Sequence, residues 1–321
     1  MLARVAENIY WMARYLERAE DMARLINVNA SLTLDLPKGL SPIWRQLIAI
    51  TGAEALYPHK DYDERSVLKF LISDPQSPVS ILTCLAYARE NARTIRDAIP
   101  REVWEAINSA YLHAKEQAPQ ALTKRGRFGF LDGVIHQCQQ IAGILSGTMN
   151  HDAGYLFLRI GRFLERADMT SRIVDIRSAN LLPDATMAKA TYENLQWMSV
   201  LRSLTGYQMY RREMQIRIRR TEVLRFLFQS EFFPRSLSFS INAVLSAVER
   251  LPNHDKVQLV IHRIKRQLDH AQLDKLKQAD LQAFIDQLQI GFAQLHDELV
   301  LAYFGGNLAA AQVQTQGQSA A

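Results

Sequence analysis

The stretch Arg14-Tyr15-Leu16-Glu17-Arg18-Ala19-Glu20 recurs as Arg162-Phe163-Leu164-Glu165-Arg166-Ala167-Asp168, 148 residues further along a chain of 321. Arg24 recurs at the same offset as Arg172. A second match lies downstream in the same order. Val67-Leu68-Lys69-Phe70-Leu71 answers to Val223-Leu224-Arg225-Phe226-Leu227, and Pro78-Val79-Ser80-Ile81 to Pro234-Arg235-Ser236-Leu237, now at an offset of 156. Two ordered matches separated by one small insertion read as a tandem duplication. The boundary falls near 148–152, dividing the chain into repeats 1–148 and 149–304 and leaving a small, polar 305–321 that reads as a disordered tail. Each copy presents the same apolar face, so the copies are expected to pack together about a pseudo-two-fold axis.

The fold class follows from periodicity. Around the first motif, Val5, Ile9, Met12, Leu16, Ala19, Ala23 and Ile26 keep helical spacing, which predicts a helix over 5–30. Ser41-Pro42 and Ser77-Pro78 each read as a cap followed by proline at the first helical position. Further helices are expected over about 67–72, 77–96, 102–114, 131–146, 152–179, 186–204, 206–219, 221–231, 235–250, 255–270 and 280–304. Asn150 or Asp152 would cap the helix of the second motif, and Thr221 the one beginning there. The segment 119–129, with Lys124, Arg125 and Arg127, reads as a basic loop. With 14 glycines and 10 prolines, the chain falls well below the usual combined share of about 12%, and it shows no convincing strand. The expected class is all-α, a helical bundle of two tandem repeats.

Within the motif, neighbours on a helix point about 100° apart, so Glu17 and Arg18 do not face each other. Arg14 can reach Glu17 and Glu17 can reach Asp21 along the helix. Leu16 and Ala19 flank the charges and draw them toward the core, where a lone charge costs several kcal/mol. The duplication supplies partners: Glu17 is expected on Arg166 and Glu165 on Arg18, reciprocally. Pairing within a repeat to Arg89, Glu90 and Arg93 is the competing geometry, and a single pocket is expected where that first-half helix meets the motifs. Three readings of the constellation Arg14, Glu17, Arg18, Arg162, Glu165, Arg166, Arg89, Glu90 and Arg93 stay open. It is a set of structural ion pairs, a site for an amino acid or peptide end, or a place where Glu17 or Glu165 does acid–base work.

Other chemistry finds little support. The two cysteines, Cys84 and Cys138, form neither CxxC nor zinc spacing. None of the eight histidines follows a glutamate by three residues, as a di-iron bundle would need, and no metal is expected. His113, His136, His151 and His262 read as surface or satisfied core residues. Phosphate-loop, dinucleotide and serine-hydrolase signatures are lacking, so no cofactor is expected in this chain. The N-terminus has no apolar signal core, and no run of about 18 apolar residues exists, which predicts a soluble cytoplasmic protein without a membrane partner. The net charge is +5, and the segment 202–225 alone holds seven arginines against two glutamates. Arg217, Arg219 and Arg220 read as the end of one helix. With Arg211 and Arg212 they form a candidate partner surface for an acidic protein face, a nucleic-acid partner being the less favoured alternative.

The opening AENIYWMARYLERAEDMAR, the second LRIGRFLERAD, the ARENAR at 88–93 and the FPRS at 233–236 resemble the alpha-E family, named for its Glu-Arg motif. The resemblance spans 1–304 and implies a helical, usually tandem-duplicated protein. Members of that family tend to occur beside circularly permuted ATP-grasp ligases and transglutaminase-like peptidases. For this chain the resemblance implies an accessory component of a peptide synthesis or modification system, with ATP and Mg held by a partner ligase. The alternatives are an enzyme of amide-bond chemistry in its own right and a nucleic-acid-binding helical protein.

Overall fold

In the computed structural model, which describes residues 1–35, 44–179, 187–214 and 217–305, the chain is all-helical and no strand occurs among those residues. The thirteen α-helices are α1 Ala3–Asp35, α2 Trp44–Thr51, α3 Glu64–Ile72, α4 Ile81–Thr94, α5 Arg101–Ala121, α6 Lys124–Thr148, α7 Ala153–Ala179, α8 Met187–Ser203, α9 Tyr207–Met214, α10 Arg220–Gln229, α11 Leu237–Val248, α12 Asp255–Asp269 and α13 Gln278–Tyr303. The cap assigned to Ser41-Pro42 and all of the tail beyond Gly305 lie outside the described residues.

The two helices that carry the motifs form the central pair. α1 packs most extensively on α7, with α4 and α6 on its other sides, and α7 packs on α1, α11 and α13. The apolar positions that predicted α1 are all in the core except Val5, which packs against it. The pair crosses at small residues. A Cβ on Gly161 would lie 2.3 Å from the Tyr10 carbonyl oxygen and 3.3 Å from the Ala13 Cβ, so only glycine allows this approach. Gly161 and Ala13 are equivalent positions of the two motifs, and the glutamates stand one turn further along.

Several local expectations are overturned. Ser80, not Ser77, caps α4: its Oγ accepts from the Thr83 N–H at 3.2 Å, while Ser77 closes a turn onto Asp74 O. The segment 119–129 is no loop. α5 continues through Pro119, because its alanine stripe at Ala110, Ala114, Ala118 and Ala121 remains buried, and a proline this near the helix end forfeits little. Thr123 then caps α6 through the Gly126 N–H at 3.1 Å. Arg127 is accordingly buried and paired with Glu64 at 2.6 Å.

In the basic segment, α9 stops at Met214 and α10 begins at Arg220, with Arg219 rather than Thr221 at the N-cap. Residues 217–219 and Glu222 surround the hydroxyl of the buried Tyr210. Its hydroxyl lies 2.9 Å from Arg217 O and 3.2 Å from Glu222 Oε2, and it accepts from the Arg219 N–H at 3.4 Å. Arg217 and Arg219 therefore precede a helix and Arg220 begins it, rather than ending one. Asp152 precedes α7 and accepts from the Gly154 N–H at 2.8 Å. Ser236 caps α11, leaving Arg235 just outside that helix.

Candidate functional site

The charged positions of the two motifs meet at the α1–α7 crossing. Glu165 of α7 takes two arginines of α1: Arg14 Nε lies 2.7 Å from Oε2, and Arg18 donates to both oxygens, at 2.5 and 3.0 Å. Glu17 of α1 takes Arg166 of α7 in a fork, at 2.7 and 2.9 Å. The reciprocal pairs expected between the two motifs are thus present. The competing pairs are not. Arg89 donates to Asn108 Oδ1 at 2.7 Å and lies against Trp104 and Tyr111 of α5, and Glu90 pairs with Arg93 on the exposed side of α4. The pocket placed at 89–93 therefore does not form, because that face of α4 turns to α5 and to solvent.

A further arginine completes the second half of the network. Arg235, from the turn before α11, reaches Glu17 Oε1 at 3.2 Å and Glu20 Oε1 at 3.0 Å, and makes a very short contact to Asp21 Oδ1. Glu20 also takes Arg24 at 2.7 Å, and Asp168 takes Arg172 at 3.0 Å. Arg14 keeps its second hand on the Tyr10 hydroxyl at 3.0 Å, and that hydroxyl lies 2.9 Å from His296 Nδ1 of α13. Arg14, Glu17, Arg18, Glu20, Asp21, Glu165 and Arg235 are all buried.

The sequence reading did not place Arg235, Glu20, Tyr10 or His296 in the site. For Arg235 the signal was available, since it stands inside FPRS. Its role depends on the turn before α11 arriving at α1. At the offset of 156 the residue that answers to Arg235 is Val79, and at the offset of 148 the one that answers to Asp21 is Met169. On that side the network is therefore shorter. Arg18, Val79, Glu165, Asp168, Met169 and Arg172 line a void of about 10 Å³, room for one water at most.

Electrostatics follow from burial and pairing. Burial opposes ionisation of Glu165, yet Arg18 and Arg14 overcome it and hold the carboxyl at about 2. Burial likewise opposes ionisation of Glu17, and Arg166 and Arg235 bring it to about 2. Asp21 behaves oppositely. Burial, with Glu17 and Glu20 beside it, outweighs Arg235 and pushes it up to about 7; its Oδ2 is buried without a hydrogen bond. Burial and the Arg14 charge keep His296 neutral, with its value down to about 3. Arg162, the counterpart of Arg14, is half-buried and has its value lowered, by burial and then by Arg166 against the pull of Glu17. It joins neither glutamate, because Arg166 and Arg235 already occupy Glu17.

The candidate partner-surface arginines divide. Arg211, Arg212, Arg217 and Arg219 are exposed. Arg219 lies 3.7 Å from Glu222, and Arg220 is half-buried and donates to Leu276 O at 3.0 Å. Among the described residues no group of three or more His, Cys, Asp or Glu is placed to hold a metal, and no helix is long and apolar enough to cross a membrane.

An all-helical bundle crossed at its centre by two Glu-Arg helices, each satisfying the other's charges, defines the class. The chain belongs to the Alpha-E family, described as a predicted alpha-helical domain with a conserved ER motif, which matches residues 1–304. Among curated proteins it is similar to an uncharacterized protein of Mycobacterium bovis, 27% identical over 189 residues, covering 51% of this chain and 21% of that one. An uncharacterized protein of Mycobacterium tuberculosis matches to the same extent. The aligned part is thus about a fifth of the length of those relatives. No solved structure matches the chain.

Proposed function

We propose that this protein is a helical partner component of an ATP-grasp-linked peptide synthesis or modification system, cytoplasmic and without catalysis of its own. In this reading the Glu-Arg network is the internal staple that joins the two repeats, 1–148 and 149–304, into one docking body. ATP and Mg²⁺ belong to the ligase, and a transglutaminase-like protein is the second expected partner. The observation that favours a component over an enzyme is the saturation of both motif glutamates. Glu17 and Glu165 are each held by two arginines and kept ionised far below neutrality. A general acid or base needs a value near the working pH and an open approach to substrate, and neither glutamate has either. The same saturation argues against an amino acid or peptide held by these residues, since a ligand carboxylate would have to displace Glu165 from Arg14 and Arg18.

The extent of the mycobacterial matches is consistent with such a component, because the similar region is a minor part of a much longer chain there. The test is a tagged pull-down from the source organism, followed by turnover assays of the recovered ligase with and without this chain. An ATP-grasp ligase whose turnover depends on the added chain bears the reading out. Amide-bond turnover by the purified chain alone would overturn it.

A further inference from the structure

α12 and α13 pack side by side and run antiparallel. Arg263 donates to Gln294 Oε1 at 3.3 Å, and a Cβ on Gly291 would come within 2.9 Å of Ile264 Cγ1. Leu259, Arg263 and Arg266 are exposed and stand three or four residues apart, so they share one face of α12. By the same spacing Asp286, Ile290, Gln294, Asp297 and Leu301 share the exposed face of α13. The Arg263–Gln294 contact joins the two faces into one surface. On it Leu259 is 67% exposed, Ile290 49% and Leu301 50%. A single exposed apolar side chain is ordinary; here three stand on two adjoining helices.

The two helices are opposite in charge. α13 holds Asp280, Asp286, Asp297 and Glu298 and no lysine or arginine. α12 holds Lys256, Arg263, Lys265 and Arg266 against Asp255 and Asp269. Asp269 is taken by Lys265 at 3.8 Å, and Asp255 sits in the first turn, where the positive pole of the helix favours it. No salt bridge joins α12 to α13 among the described residues. Arg263 meets the neutral Gln294, and Arg266, Asp286 and Asp297 have no ion-pair partner there. The carboxylates of α13 instead crowd other carboxylates. Asp297 is raised by partial burial and then by Glu298, and Asp175 of α7 is pushed up to about 6 by burial and then by Asp286, against the pull of Arg172. Lys277, at the N-cap of α13, stands more than two turns before Asp286. One half of the surface is thus basic, the other half acidic, and both carry exposed apolar side chains.

We infer that the α12–α13 face binds a second copy of this chain, forming a two-fold dimer in which α12 of each copy lies on α13 of the other. A two-fold axis running between the helices and along them makes this pairing self-complementary. Because Arg263 is level with Gln294, Leu259 of one copy comes to the turn between Asp297 and Leu301 of the other. Arg266 comes to the stretch between Asp286 and Ile290. Two helices side by side offer roughly 500–800 Å² per copy, the lower range of specific interfaces. Other occupants fit less well. A nucleic acid would meet the carboxylates of α13, and an acidic protein would leave them without a base. Residues 306–321 carry no charge and offer α13 no base either. The dimer does not depend on the partner-component reading.

Sedimentation equilibrium of the full chain tests this. The wild-type chain is expected to pass from 36.6 kDa to twice that mass as concentration rises, with a dissociation constant of about 10 µM. R263E/R266E makes both faces acidic and D286K/D297K makes both basic, so each variant alone is expected to stay monomeric. Their equimolar mixture is expected to dimerise again, because every acidic helix then faces a basic one. L259D should weaken the wild-type dimer at least about tenfold. R211E/R212E, on the exposed side of α9, should leave it unchanged. All these positions are exposed, and circular dichroism checks that each variant remains folded. A wild-type chain that stays at 36.6 kDa throughout would overturn the inference, whatever else covers the surface. So would a dimer that survives either charge reversal, or a mixture of the two variants that stays monomeric.

Discussion

At the scale of single residues, the network is asymmetric and its glutamates are not equivalent. Glu165 is the anion for two buried arginines, so E165Q strands Arg14 and Arg18 in the core. Loss of about 3–5 kcal/mol is expected, the usual penalty for uncovering buried charge. E17Q should cost less, because Glu20 and Asp21 still hold Arg235 and because Arg166 reaches the surface. Urea denaturation of the two variants decides the order, and equal losses would contradict it. The carboxylates also fix the pH response. Glu17 and Glu165 are depressed, so their stabilisation is complete above the ordinary carboxylate range and is lost as pH falls toward 2. Asp21 is raised, so the folded protein keeps a proton that the unfolded chain has already released. Its contribution is present below the ordinary aspartate value and fades as pH rises toward about 7. D21N should therefore flatten the decline in stability between about pH 4 and pH 7. A wild-type slope retained in D21N would show that another group holds the proton. The reciprocal pairs themselves were legible in the sequence as one of two geometries, because a recurring charged motif flanked by Leu and Ala needs partners and its copy offers them, whereas Arg89, Glu90 and Arg93 offered the other.

At the scale of elements, the decisive contacts are the α1–α7 crossing and the turn before α11. Gly161 permits the crossing, and G161A must push α7 away from the Tyr10 carbonyl. An expected loss of about 1–3 kcal/mol, the range for overpacking, is readable as a lower midpoint in thermal unfolding. Arg235 ties the turn 230–236 to α1. In R235M the turn loses that anchor, and hydrogen exchange of the backbone amides at 231–233 should speed while that of α5 stays unchanged. Protection kept at 231–233 would mean that Ser230 and Ser236 suffice. Helix existence was legible here from spacing, but ends were not. Ser77 and Ser80 are both good caps by chemistry, and the choice fell to Ser80 because the 74–77 turn precedes it. Thr221 lost to Arg219 because the chain wraps around Tyr210, a contact that no local pattern reveals.

At the scale of the molecule, the buried pairs of Glu17 and Glu165 run between the two halves of the chain, so neither half is complete alone. Unfolding should be a single transition, and residues 1–148 expressed separately should fail to fold, leaving Glu17 and Arg18 without partners. Co-expression with 149–321 should restore a helical complex. A fragment 1–148 that melts cooperatively by itself would refute this. A double-mutant cycle across the repeats, with E17Q, R166M and both together, should give a coupling of about 0.5–3 kcal/mol. The sequence by itself determined the helical class and the recurring motif, and it narrowed the partners of the motif charges to two geometries, because these rest on periodicity and on the cost of burying an unpaired charge. Only the tertiary structure decided that Arg89 and Arg93 turn away from the motifs. It alone brings Arg235 from the turn before α11 to share Glu17. The physical reason is distance along the chain: which side of a helix meets which neighbour is fixed by the packing of all thirteen together, and charges hundreds of residues apart become partners only once that packing exists.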